Sequence, residues 1–276
     1  MQMHNLLNDC AGLLDILRRK KPLAHHITNY VTVNDCANIT LAIGASPVMA
    51  DAIEEAADIT AISAALVLNI GTLNGRTVDS MLAAGRQANA LGIPIVLDPV
   101  GVGASAYRNE TATALLDALH VDVIRGNISE IRFLAGLSSA TKGVDASESD
   151  NTDDAANIAA ALAKSHNCTV AITGAVDIVS NGTRTVALRN GHPAMATVTG
   201  TGCMCSSLVG SFCGAARNQI FEATIAALLC MGIAGERAFS AVTPFGSGSF
   251  RMVLIDEISR MDARILSERG RLNGNE

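Results

Sequence analysis

An α/β architecture, with a central and mostly parallel sheet flanked by helices, is what this sequence predicts, and two observations carry the prediction. Apolar runs alternate with helix-compatible segments along the chain. The core must also be aliphatic: 49% of the 276 residues are hydrophobic, 3% are aromatic and tryptophan is absent. Alanine, valine, isoleucine and leucine in that proportion suit parallel strands covered by helices on both faces.

Taken in order, residues 3–19 read as an amphipathic helix, with Leu6, Leu7, Leu13, Leu14 and Leu17 at helical spacing. The basic run "RRKK" at 18–21 closes it, where cations suit the helix dipole. Strands are expected at 46–50, 65–71, 93–99, 121–127 and 169–174, with helices between them that include 77–91 and 111–119. "DIVSNG" and "RTVALRNG" then read as a hairpin around Asn181-Gly182, a favoured two-residue turn. Three helix-like segments run to the end. The acidic, turn-rich stretch 145–154 reads as a solvated loop capping the next helix. With no repeat and no clear linker, one domain over residues 1–276 is expected.

Composition excludes several function classes. The net charge is −6 and the basic residues are dispersed, so no basic stripe offers a nucleic-acid surface. No uninterrupted apolar run of about 18 residues argues for a membrane span. A mean hydropathy of +0.31 is nevertheless high, and points to apolar surface buried between subunits. Seven scattered cysteines, an odd number, without a signal peptide fit a reduced, cytoplasmic compartment.

The chemistry lies at the strand ends, beyond which open α/β sheets bind ligands. Asn69-Ile70-Gly71-Thr72, Asp98-Pro99-Val100-Gly101, Arg125-Gly126-Asn127 and Thr173-Gly174 follow four strands in succession and suggest one shared crevice. Asp98 has two readings: an aspartate fixing a turn before proline, or a ligand-side carboxylate beside Gly101 and Gly103, which let backbone approach a ligand. "NISE" (127–130) also has two: helix capping by Asn127 or Ser129, or a carboxylate at Glu130 that shares a water-bridged Mg²⁺ with Asp98. In "TVTGTGCMCSS", Gly200, Thr201 and Gly202 can turn several backbone N–H groups toward one point, and the helix beginning near Cys203 adds its positive end. An anion cradle, a divalent ion and a positioned nucleophile are the requirements of phosphoryl transfer.

These stretches resemble a known family. "GTGC" is similar to the "GAGD" anion hole of ribokinase-like kinases, with cysteine in place of the acid, and "NISE" resembles the N-x-x-E magnesium motif of vitamin kinases of that fold. Together with "HHITNYVTVNDCANITLAIGASPVMA", "LDPVGVGAS", "RGNISEI" and "ITGAVD", they resemble the hydroxyethylthiazole kinases over roughly residues 6–260. The resemblance implies a ribokinase-like three-layer sandwich that transfers the ATP γ-phosphate to the hydroxyl of 4-methyl-5-(2-hydroxyethyl)thiazole, for thiamine salvage. It implies a homotrimer with thiazole sites at the subunit interfaces. It places Met49, Asn29 and Gly200 at the substrate and Arg125 and Thr173 at ATP, with Asn127 beside them. Asp98 and Glu130 fall on the magnesium side, and Cys203 at the catalytic position within 200–203. Another vitamin or small-alcohol kinase, or an NAD(P)H-hydrate dehydratase, is the alternative; those relatives usually carry aspartate at the position of Cys203.

Three readings of Cys203 stand. It orients the substrate hydroxyl and partly accepts its proton; or it is a covalent nucleophile with His25 and His26 as partners; or it joins Cys205 and a histidine in a metal site. The histidines have a plainer role open to them, satisfying backbone groups, and Met49 reads as core from its surroundings alone.

Overall fold

The computed structural model describes residues 2–137 and 152–275. Its strands are β1 (Leu23–Ile27), β2 (Ser46–Met49), β3 (Ala65–Asn69), β4 (Ile95–Asp98), β5 (Val123–Gly126), β6 (Thr169–Ile172), β7 (Asp177–Ser180), β8 (Thr185–Leu188) and β9 (Leu272–Asn275). Its helices are α1 (Gln2–Lys20), α2 (Val33–Ile43), α3 (Ala56–Ala61), α4 (Gly75–Leu91), α5 (Ala106–Ala118), α6 (Ile128–Leu134), α7 (Thr152–His166), α8 (Thr201–Ala215), α9 (Ile220–Ala241), α10 (Ser247–Ser259) and α11 (Ala263–Arg269). The strands form one sheet in the order β2-β1-β3-β4-β5-β6-β7-β8-β9. Pairing is parallel from β2 through β6 and antiparallel from there to β9.

Side chains alternate across a strand, so each strand feeds two cores. Val67, Val96, Val123 and Ala171 face α1, α2 and α8–α11. Leu66, Leu68, Leu97, Ile124 and Val170 face α3–α7. This three-layer arrangement is the predicted class. Helix α8 lies hard against the sheet: a Cβ at Gly210 would stand 2.4 Å from Val67 Cγ2. That close seat carries the start of α8 to the carboxyl ends of the central strands.

The basic run does more than close its own helix. Arg18 donates to the carbonyls of Ile43 (3.3 Å) and Ser259 (3.2 Å), and Lys20 to that of Ala215 (2.7 Å). These are the last residues of α2, α10 and α8, whose terminal carbonyls lack intrahelical donors and carry the negative dipole end. Among the described residues no helix is long and apolar enough to cross a membrane.

Four local expectations change. "PLAHHI" forms a strand, β1, although two of its residues are histidines, because both rings are buried and bonded. Helix α5 begins at Ala106, well before 111, since Ser105 Oγ caps it by accepting from Arg108 N at 3.3 Å. The hairpin loop is longer than two residues: Ser180 pairs with Thr185, and Asn181 Oδ1 accepts from the amides of Thr183 (3.1 Å) and Arg184 (2.8 Å). Four helices, α8–α11, follow the hairpin, and the chain then returns as β9 on the sheet edge. Of the acidic stretch, residues 145–151 lie outside the described residues; Asp153 and Asp154 occupy the first turn of α7, where negative charge suits the dipole.

Candidate active site

One parity rule builds the site. Two residues beyond Val67, Val96, Val123 and Ala171, on the same face of each strand, stand Asn69, Asp98, Arg125 and Thr173. Asn69 and Asp98 are direct register partners. The row of aliphatic side chains on this face thus ends in a row of polar ones, of which Asp98 and Arg125 meet the start of α8.

Helix α8 starts at Thr201, two residues before Cys203, and Gly200 is its N-cap with φ 87° and no side-chain cap. The helical ladder opens with Met204 N bonding Gly200 O at 2.8 Å, so the amides of residues 201–203 precede it. Two side chains fix this turn. A Cβ at Gly200 would meet Thr32 Cγ2 at 2.6 Å, and one at Gly202 would meet Arg125 Nη1 at 2.7 Å. Left-handed backbone at the first position and a guanidinium against the other account for two of the glycines.

Asp98 is fully buried. Its Oδ2 accepts from Asn69 Nδ2 (2.9 Å) and Ser206 Oγ (2.8 Å) and lies 3.6 Å from Arg125 Nη1. Its Oδ1 has no partner among the described residues. Arg125 also donates through Nη2 to Thr173 Oγ1, so the two expected ATP contacts touch each other. Glu130 Oε1 accepts from Gly101 N and Oε2 from Asn127 N, each at 2.8 Å, while Asn127 Oδ1 accepts from Glu130 N at 2.9 Å. The capping reading of "NISE" is therefore realised as a reciprocal box, with Asn127 and not Ser129 as the cap. Burial pushes the Glu130 carboxyl above its usual range, and the neighbouring Asp98 charge adds to the push. Burial raises Asp98 as well, against the pull of Arg125. Two close carboxylates that resist joint ionisation, one with an orphaned buried oxygen, fit a hard cation held partly through water.

Cys203 is the one cysteine of the seven that is not buried. Its sulfur accepts from Asn29 Nδ2 (3.2 Å) and Asn69 Nδ2 (3.3 Å). Among the described residues no histidine bonds it. His25 is bonded to Thr60 Oγ1 and Ala50 O, each at 2.8 Å, and His26 Nδ1 to Ala24 O at 3.0 Å, so the nucleophile–histidine pair is not assembled. Cys205 is buried, which pushes its thiol up to about 12, and among the described residues no group of three or more potential ligands could hold a metal. The thiol-metal reading falls with it.

Met49 lines a cavity of about 160 Å³ together with His26, Thr28, Tyr30, Val33 and Thr72. Asn29 is not one of its lining residues; its amide turns to Cys203 instead. A larger cavity, about 400 Å³, opens at the other end of the sheet among Asp122, Asn167, Cys168, Arg184 and Arg217, away from the polar row.

Asn69 and Ser206 were not singled out from sequence as site residues. Asn69 was visible as a strand end, and the parity shared with Asp98 was the signal that ranks it. Ser206, three residues after Cys203, lies on the same helix face but had no such mark.

Asp177, first residue of β7, adds a testable electrostatic feature. Its Oδ1 accepts from Gly174 N at 2.9 Å, and burial raises its carboxyl from 3.8 to about 7. The folded state then holds this proton to higher pH than the unfolded chain does, so the group's contribution to stability falls as pH rises from 3.8 to about 7 and is level above. In urea denaturation across that window, Asp177→Asn should lose less stability than the parent; parallel curves would refute the assignment.

A glycine-turned helix start facing buried carboxylates at the ends of parallel strands places the chain among the ribokinase-like kinases. Comparison with known proteins narrows the class. The hydroxyethylthiazole kinase family model matches residues 14–264. A hydroxyethylthiazole kinase of Ruminiclostridium cellulolyticum is 56% identical over 262 residues, 95% of this chain and 96% of that protein. The solved structure of a hydroxyethylthiazole kinase protein from Pyrococcus horikoshii superposes with a TM-score of 0.88 at 40% identity, covering 97% of this chain and 99% of that one. A Bacillus subtilis pyridoxal kinase solved as an ADP complex, at TM-score 0.58 and 20% identity over 78% of this chain and 91% of that one, shares the fold. The chain belongs to the hydroxyethylthiazole kinase family.

Proposed function

We propose that this protein transfers the γ-phosphate of ATP to the hydroxyl of 4-methyl-5-(2-hydroxyethyl)thiazole, giving the thiazole phosphate for thiamine salvage, with Mg²⁺ as cofactor and in the cytoplasm. The observation that carries the chemistry is the meeting of an uncapped, glycine-turned helix start with the thiol of Cys203 and the buried carboxylates of Asp98 and Glu130. Family membership supplies the substrate.

The roles follow from position. Met49 and its cavity receive the thiazole ring, to which a polarisable thioether is suited. Gly200 lets the chain pass close to the substrate, and the amides of residues 201–203 face the phosphoryl group, where fixed N–H dipoles stabilise developing charge. Arg125, Thr173 and Asn127 attend the nucleotide. Asp98 and Glu130 would hold magnesium, which would neutralise phosphate charge. The hydroxyl oxygen forms its bond to γ-phosphorus as the bond to the bridging oxygen breaks; ADP leaves, and the hydroxyl proton passes toward Cys203. Charge on the attacking oxygen develops late in a loose transition state, so a weak base suffices.

We also place the enzyme as a homotrimer with its sites at the subunit interfaces. The support is a half-buried edge strand, β2, together with exposed Tyr30 (79%) and Ile62 (70%), which a second subunit would cover. Sedimentation at micromolar concentration should report three chains, and a monomer would sink that placement.

The deciding assay is coupled ADP release with Mg-ATP across a panel of small alcohols. Release with the thiazole alcohol should far exceed release with buffer; equal rates would overturn the function.

A further inference from the structure

Two asparagines around Cys203 have every hydrogen-bonding position filled. Asn69 Oδ1 accepts from Gly71 N (2.9 Å) and Asn29 Nδ2 (3.0 Å), and its Nδ2 donates to Asp98 Oδ2 (2.9 Å) and Cys203 Sγ (3.3 Å). Asn29 Oδ1 accepts from Thr32 N and Thr32 Oγ1, each at 3.1 Å, and its Nδ2 donates to Asn69 Oδ1 (3.0 Å) and Cys203 Sγ (3.2 Å). A backbone N–H can only donate, so Gly71 and Thr32 fix which end of each amide is oxygen. Flipping Asn69 would also set its oxygen against the Asp98 carboxylate. Both NH₂ groups are therefore locked onto the sulfur.

A neutral thiol whose acceptor side is filled by two N–H donors has only its S–H left for the substrate. That S–H could donate to the hydroxyl oxygen, but sulfur would then have no free lone pair to take the hydroxyl proton. A sulfur anion has a third lone pair in the same direction, and that one accepts the hydroxyl proton. We propose that Asn69, with Asn29, is a positioning residue that holds Cys203 as an anionic acceptor for the substrate hydroxyl, and that Asn69 ties this acceptor to Asp98. The proton leaving the thiol goes to water before the chemical step. The substrate proton replaces it on sulfur as the O–P bond forms, and it returns to water after product leaves. This rests on the phosphoryl-transfer reading above.

The test uses Asn69→Ser and two readouts. The first needs no substrate: iodoacetamide alkylation of Cys203, followed by mass spectrometry, which distinguishes it from the six buried cysteines. Thiolate is the alkylated form, so the rate at neutral pH should fall about tenfold. The second is a double-mutant comparison. Asn69→Ser should lower kcat about 10- to 100-fold in the parent but less than about threefold in a Cys203→Ala background, with KM for ATP unchanged in both. A role confined to Asp98 or to folding would cost the same in either background. Equal losses, or alkylation within about twofold of the parent, overturn the proposal. Should Asn69→Ser not fold, Asn29→Ser removes the other donor, leaves the Asp98 bonds intact, and carries the same two readouts. Failure of the thiazole reading would appear as absent kinase activity with the alkylation effect still present, so the two failures are distinguishable.

Discussion

Asp98→Asn should lower turnover by about 10²- to 10³-fold, the scale on which loss of one preorganised charge-stabilising group is felt. The substitution keeps the volume and removes the charge. Oδ2 currently accepts from Asn69 and Ser206 and faces the Arg125 guanidinium at 3.6 Å. An amide can preserve the bonds from Asn69 and Ser206 but cannot balance the cation. Arg125 is nearly buried, with 11% side-chain exposure, so its charge would be left uncompensated. Breaking a buried pair in this way costs roughly 3–5 kcal/mol. Two measurements separate the contributions: ADP release gives kcat, and urea denaturation gives stability. If Asp98 only fixed a turn before Pro99, stability would fall while kcat of the folded fraction stayed within about threefold of the parent, and the cation-side role would be lost.

Cys203→Asp should retain or raise turnover, whereas Cys203→Ala should lower it by about one to three decades, within the usual range for loss of a general base. The reason lies in the two donors already aimed at position 203. Asn29 and Asn69 present N–H groups at 3.2 and 3.3 Å, and a carboxylate accepts such bonds more strongly than sulfur does. Aspartate would thus find its hydrogen-bond partners in place and offer a better acceptor to the hydroxyl. Alanine would leave both amides with an unspent proton. Steady-state kcat with the thiazole alcohol decides the matter; unchanged turnover in the alanine variant would remove Cys203 from the chemistry.

Much of this was legible in the sequence, and what was not has physical causes. Strands β3 to β6 could be read because burial on both faces writes them as apolar runs that stop at a polar residue or glycine, and the half-buried β2 through its short apolar run. Strand β1 could not, because His25 and His26 look like surface residues until hydrogen bonds with Thr60 Oγ1 and the carbonyls of Ala50 and Ala24 seat them. Strand β9 was hidden for the opposite reason: "LNGN" lacks strand character, and its pairing with β8 over Leu188–Leu272 defines it. In the site, residues 98, 130 and 200–203 stood out through glycine and carboxylate patterns. The amide clamp did not, since Asn29 and Asn69 are 40 residues apart and come together only in the fold, through a direct bond and at the sulfur. Parity was the unused clue: Asn69, Asp98, Arg125 and Thr173 each lie two places past an inward aliphatic residue, which puts all four on one face of the sheet.

The cations at the end of α1 have a consequence for how the chain is made. Arg18 is made 241 residues ahead of Ser259 and Lys20 195 residues ahead of Ala215, two of the residues whose carbonyls they seat against. Until those emerge α1 has no lasting berth, and its leucines stay uncovered. Closure of that layer therefore waits on long-range partners, and the emerging chain must keep a sticky segment out of trouble until α8 and α10 have been made.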